Sequence, residues 1–285
     1  MQLDRSLMRQ LAVLLATSNA LFASLMHAPA AVAADDRAAV STINHAFATE
    51  LGTGIYDIGG RSIFVVGFTP EWELRAPQKP LPGVRLVLPI TAGSFDFMPD
   101  DALEGVLPSR IDSFSLMPGL EFDFPLRDDW VLTPWLRAGA SFAAGTSDGW
   151  LYGTGVRATR SWDMGKVAFT RHHDAGVVVV DYRSAQPNDL FLRMRNALDV
   201  RRPTLALSHR HRLLAGLYGI LDIVPDPPAA PEDVGKPSVV QLEVGFTLNT
   251  DPRVKIGPLR WPRLGLGYRM AGDFSGWRIV FGAPF

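Results

Sequence analysis

Between Val240 and Leu248 every second residue is apolar: Val240, Leu242, Val244, Phe246 and Leu248 alternate with Gln241, Glu243, Gly245 and Thr247. Only an extended strand, whose side chains point to opposite faces in turn, gathers those five on one side. In a chain that is 47% hydrophobic, nine consecutive matches arise by chance with a probability of roughly 0.002 per register. The pattern recurs. Leu264, Leu266, Tyr268 and Met270 alternate with Arg263, Gly265, Gly267 and Arg269, and Phe114, Leu116, Leu120, Phe122 and Phe124 do the same with Ser115, Gly119, Glu121 and Asp123. Further windows lie at 64–74, 84–92, 132–142 and 190–200. The chain reads as all-β.

A soluble sandwich buries its apolar faces, whereas a transmembrane barrel turns them outward to lipid. Three features favour lipid. The polar face carries Glu71, Glu73, Arg85, Glu121, Asp123, Arg137, Arg157, Arg193, Arg195, Glu243, Arg263, Arg269 and Arg278, and no lysine. Lysine occurs only at Lys79, Lys166, Lys236 and Lys255, all in loop-like stretches; a crowded polar interior suits arginine paired with carboxylate. Trp72, Trp130, Trp150, Trp162 and Trp261 fall near strand ends, where barrels place aromatic girdles. Finally, Trp277, Ile279, Phe281, Ala283 and the terminal Phe285 share one face, with Arg278, Gly282 and Pro284 on the other.

The expected fold is a closed antiparallel transmembrane β-barrel of about 12 strands, near 54–60, 61–74, 84–97, 113–124, 130–142, 150–161, 166–182, 190–200, 204–221, 238–249, 260–271 and 274–285. Ten is the alternative if the pair flanking Gly59-Gly60 is one strand. Long loops belong outside and short turns in the periplasm. The Pro-rich stretch 224–237 and 98–112 are then external, 125–129 and 161–165 are periplasmic turns, and the strand ending at Phe285 runs toward the periplasm. The 249–258 turn is long for that side. None of the clean windows places an arginine toward lipid, and His209-Arg210-His211-Arg212 is assigned to the headgroup zone.

Residues 1–33 have the three parts of a secretory signal: Arg5 and Arg9, an apolar stretch from Leu11 to Met26, and Ala31-Val32-Ala33 before the expected cleavage point. In 34–52, Val40, Ile43, Phe47 and Leu51 are spaced as on one helix face, with Asp35 and Asp36 at the start and Gly52 as a stop. This short N-terminal helix is expected either to plug the lumen or to trail as a periplasmic tail. The barrel takes 53–285. With 28 basic residues against 29 acidic ones, the chain has no basic field for nucleic acid. It has no cysteine, which excludes disulfides and thiolate metal sites.

The run Met117-Pro-Gly-Leu-Glu-Phe-Asp-Phe-Pro-Leu-Arg-Asp-Asp-Trp130, the run Leu132-Thr-Pro-Trp-Leu-Arg-Ala-Gly139, and the stretch from Leu264-Gly-Leu-Gly-Tyr-Arg269 to Phe285 resemble the barrel of bacterial autotransporters, and more narrowly the solitary barrels without a passenger. The resemblance implies a twelve-stranded translocator-type pore in the outer membrane of a Gram-negative bacterium, in contact with outer-membrane lipid and lipopolysaccharide. It also implies that Trp277, Ile279, Phe281 and Phe285 form the signal read by the barrel assembly machinery.

Enzymatic and metal chemistry are weighed on the histidines. His209 and His211 share a strand face, as two metal ligands would, but no third ligand accompanies them. Ser208 and His209 are adjacent and so point apart, as do His173 and Asp174. Glu71/Glu73 and Glu121/Asp123 look like acid–base pairs, but arginines from neighbouring strands satisfy them better. No catalytic, cofactor or metal residues are assigned. The chain is expected to be a narrow or plugged pore, or a structural surface protein, that is weakly ion-selective if it conducts. The alternatives are a lipid-acting barrel enzyme and an adhesin-like surface binder.

Overall fold

Three prolines decide where the wall strands bend. In the computed structural model, which describes residues 49, 51–58, 61–78, 81–95, 113–127, 129–143, 148–183, 188–206, 212–225, 239–251, 255–256, 259–260, 263–272 and 274–285, the chain is interrupted at Thr69-Pro70, Leu88-Pro89 and Met117-Pro118. Proline donates nothing to a ladder, so each of these wall strands is split in two. The three breaks stack on one another. Leu88 N donates to Pro70 O (3.0 Å), Met117 N to Pro89 O (2.9 Å) and Ala138 N to Pro118 O (3.0 Å).

The strands are β1 (Gly54–Ile58), β2 (Arg61–Phe68) with β3 (Glu71–Arg75), β4 (Gly83–Val87) with β5 (Ile90–Phe95), β6 (Ser113–Leu116) with β7 (Gly119–Arg127), β8 (Trp130–Ala143), β9 (Gly149–Met164), β10 (Val167–Tyr182), β11 (Asp189–Ala206), β12 (Arg212–Ile223), β13 (Val240–Asp251), β16 (Leu264–Ala271) and β17 (Phe274–Phe281). Counting each split pair once, they make twelve wall strands in one antiparallel ring. β1 pairs with β17 (Tyr56 opposite Gly276) and closes it. Gly59-Gly60 lies outside the described residues, but β1 and β2 pair with each other from Gly54/Val65 to Ile58/Arg61, so they are two strands and the count is twelve.

Several boundaries differ from the sequence reading: β7 runs to Arg127 and β9 to Met164, into the expected turns 125–129 and 161–165, and β17 ends at Phe281. β11 continues through Pro203 to Ala206, accommodating the proline beside a bulge between Pro203 and Leu205, and β12 starts only at Arg212. Between β13 and β16 the chain makes a small hairpin of its own, β14 (Lys255–Ile256) with β15 (Leu259–Arg260), which accounts for the length of this connection. The stretches read as signal peptide (1–33) and, for the most part, as N-terminal helix, together with 98–112, 226–237 and 207–211, lie outside the described residues; Thr49 and Leu51 are helical.

Side-chain exposure follows the alternation. Along β13, Leu242, Val244, Phe246 and Leu248 are 43%, 47%, 48% and 43% exposed, whereas Gln241, Glu243 and Thr247 are 1–2% exposed. The apolar face is therefore the outside of the ring. Glycines make room for large residues on the inside: a Cβ on Gly155 or Gly176 would lie 2.5 Å from the buried Trp135 ring. Gly176→Val is expected to destabilise the barrel by about 1–3 kcal/mol through this overpacking, measured as a lower midpoint in urea unfolding; an unchanged midpoint would place the Trp135 ring elsewhere.

Candidate functional site

The inward side chains form connected ion-pair clusters. Glu121, 2% exposed, sits between three guanidiniums: Arg85 (2.8 Å), Arg137 (3.0 Å) and Arg157 (3.0 Å). Arg85 also holds Asp123 (2.8 Å), which accepts from Thr133 Oγ1 (2.7 Å). Arg157 continues the cluster to Asp174 (3.5 Å), where Arg193 (3.2 Å) and the Trp135 indole N–H (3.3 Å) also converge. In a second cluster Arg195 pairs with Asp222 (2.7 Å), and Arg269 links Asp222 (3.5 Å) to Glu243 (2.9 Å). Glu243 also receives Arg278 (3.1 Å) and the Tyr218 hydroxyl (2.9 Å). A third joins Asp199 to Arg263 (2.5 Å) and Arg201 (3.3 Å), with Thr247 against Arg263.

These clusters follow from strand parity. Cross-strand partners share a face, so Arg85 opposite Glu121 and Glu243 opposite Arg269 meet without any loop to position them. Among the described residues nine arginines face six carboxylates inside: Arg85, Arg137, Arg157, Arg193, Arg195, Arg201, Arg263, Arg269 and Arg278 against Glu121, Asp123, Asp174, Asp199, Asp222 and Glu243. Within these clusters arginine outnumbers carboxylate by three. Glu71 and Glu73 lie on the same face as Arg85 but are exposed, Glu71 reaching Arg85 at 3.0 Å. The sequence reading did not single out Asp199, Asp222 or Arg201.

Two segments of chain enter the lumen. Beside β1, Leu51 is 1% exposed, and its carbonyl accepts from Tyr56 Oη (2.5 Å). It belongs to one apolar cluster with Tyr56, Val65, Leu151, Val180 and Phe274. The cluster has members on wall strands around the ring, from Tyr56 on the first to Val180 on the seventh, all on the inner face. The other segment is the C-terminus. Trp277, Ile279 and Phe281 point outward at 54%, 45% and 57% exposure, but Gly282 adopts φ 94° and turns the chain inward. Pro284 O then accepts from Arg278. Phe285 packs on the buried group Ala197, Tyr218, Ile220 and Val280, its ring 4.7 Å from that of His172. Phe285 therefore leaves the outward face that it shares with Trp277 in the bare alternation.

His172 is buried between that ring and Thr159, whose Oγ1 lies 3.5 Å from Nδ1. His173 points outward and contacts Asn196 (Nδ1 to Oδ1, 2.6 Å). Among the described residues no three His, Cys, Asp or Glu side chains are gathered as a metal would need. His45, Ser208, His209 and His211 lie outside the described residues.

These features define a class: a closed, twelve-stranded antiparallel β-barrel with an apolar exterior and a charged interior. Among solved structures the chain is similar to the β domain of the Bordetella autotransporter BrkA, with 15% identity and a TM-score of 0.39 over 80% of this chain and 96% of that one. No family model matches the chain, and no curated protein matches it.

Proposed function

We propose that the chain is an integral barrel of a bacterial outer membrane whose lumen is stoppered by its own two ends, a plugged pore rather than an open channel. The observation that carries this reading is Phe285, which reaches His172 on the seventh wall strand from the twelfth, with Leu51 buried inside the ring against Tyr56 as a second inward segment. The exterior supports the membrane setting, because apolar side chains line the outside of nearly every wall strand and hydrocarbon removes the cost of exposing them. Assembly machinery and outer-membrane lipid are the partners that such a barrel meets. Residues 34–51 belong to the stopper in this reading, with Leu51 as its inner end.

Planar-bilayer recordings test it. The whole chain is expected to give few or no current steps. Phe285→Ala, and separately deletion of 34–51, are expected to give frequent ones, with weak ion selectivity because both signs of charge line the inside. Steady large currents from the unaltered chain, or silence from both variants while each still shows heat-modifiable gel migration, would dismiss the stopper.

A further inference from the structure

Near the end that holds the C-terminus the outside of the ring carries two arginines side by side. Arg160 on β9 and Arg171 on β10 are cross-strand partners, so two guanidiniums stand side by side on the face opposite the lumen-facing Thr159 and His172. Like charges directly opposite one another on a sheet repel. Only one has a counter-ion: Arg160 Nε pairs with Asp129 (2.6 Å), whereas Arg171 is exposed and makes no ion pair among the described residues.

The surroundings of this pair are aromatic. Trp130 is the cross-strand partner of Arg160. The guanidinium lies 5.8 Å from the Trp130 ring and 5.1 Å from Trp162, and Trp162 stacks on Phe169 at 5.3 Å. Indole rings beside arginine mark the boundary between hydrocarbon and headgroups. Farther along the same two strands the outward partners are Ala158 with His173 and Val156 with Ala175.

We propose that Arg160 and Arg171, framed by Trp130 and Trp162, bind the phosphate of an anionic phospholipid; this rests on the reading that the exterior meets lipid. Two guanidiniums against the single Asp129 carboxylate leave one positive charge, which a headgroup of net charge minus one neutralises. A zwitterionic headgroup brings its own ammonium against the arginines and loses that advantage. The planar guanidinium fork suits a phosphate diester.

The test uses the whole chain reconstituted in vesicles, with brominated phosphatidylglycerol or brominated phosphatidylethanolamine of the same acyl chains as quenchers of tryptophan fluorescence. Phosphatidylglycerol is expected to quench at lower mole fraction than phosphatidylethanolamine. Arg160→Gln and Arg171→Gln are each expected to weaken that preference about fivefold, and high salt is expected to weaken it in the unaltered chain. Equal quenching by the two lipids in the unaltered chain, or an undiminished preference in the double variant, would overturn the proposal. Failure of the unaltered chain to insert into either vesicle is a separate result, and it overturns the membrane reading together with this site.

Discussion

Glu243→Ala lowers the stability of the folded barrel by about 3–5 kcal/mol, because removing one partner of a buried ion pair strands the others. Glu243 is 1% exposed and takes Arg269, Arg278 and the Tyr218 hydroxyl together; without it two guanidiniums remain in the wall with less counter-charge than they need. Arg269 keeps only the longer contact to Asp222 at 3.5 Å. Arg278 keeps the Pro284 carbonyl. Glu71→Ala is the control, since its 52%-exposed side chain meets Arg85 in water and exposed pairs are worth about 0–1 kcal/mol. Urea unfolding from vesicles, followed by gel mobility, measures both. Losses of equal size would mean that the ring interior is as wet as its mouth.

The second large effect concerns the opposite face. Val200, Leu217, Phe246, Leu266 and Ile279 form one outward row of cross-strand partners across five wall strands, and Leu217 is 70% exposed. Against water, Leu217→Arg would change stability by less than about 0.5 kcal/mol. Against hydrocarbon near the bilayer midplane it costs about 2–4 kcal/mol. The same unfolding measurement separates these values, and a neutral result would show that this row faces water.

Much of this architecture is legible in the letters, for a physical reason. A strand has only two faces, so one clean window such as Val240–Leu248 assigns every residue in it, and the inward placement of Glu243, Arg269 and Arg278 follows from counting by twos. The same rule reaches Asp199, which stands in step with Arg193 and Arg195. It fails where the backbone departs from extended geometry. Asp222 lies one residue beyond the expected end of its strand, and Arg201 beyond the end of the 190–200 window, so both fell in stretches assigned to other structure. Phe285 is the clearest case. The letters from Trp277 to Phe285 keep period two throughout, but Gly282 at positive φ ends the alternation in space, and no pattern of hydropathy reveals a turn that a single glycine makes. The side-by-side arginines at 160 and 171 were hidden for a different reason: each interrupts the apolar face of its own strand, but their juxtaposition is a matter of register between two strands.

The seam between β1 and β17 has a consequence for how such a molecule comes into being. Its two edges come from opposite ends of the chain, Tyr56 meeting Gly276, and closing so long a loop carries an entropic penalty that no local contact offsets in advance. Until the last hairpin arrives, the growing sheet has two unpaired edges, which hydrocarbon does not tolerate. On the reading that the exterior meets lipid, integration waits until β17 is available to pair with β1.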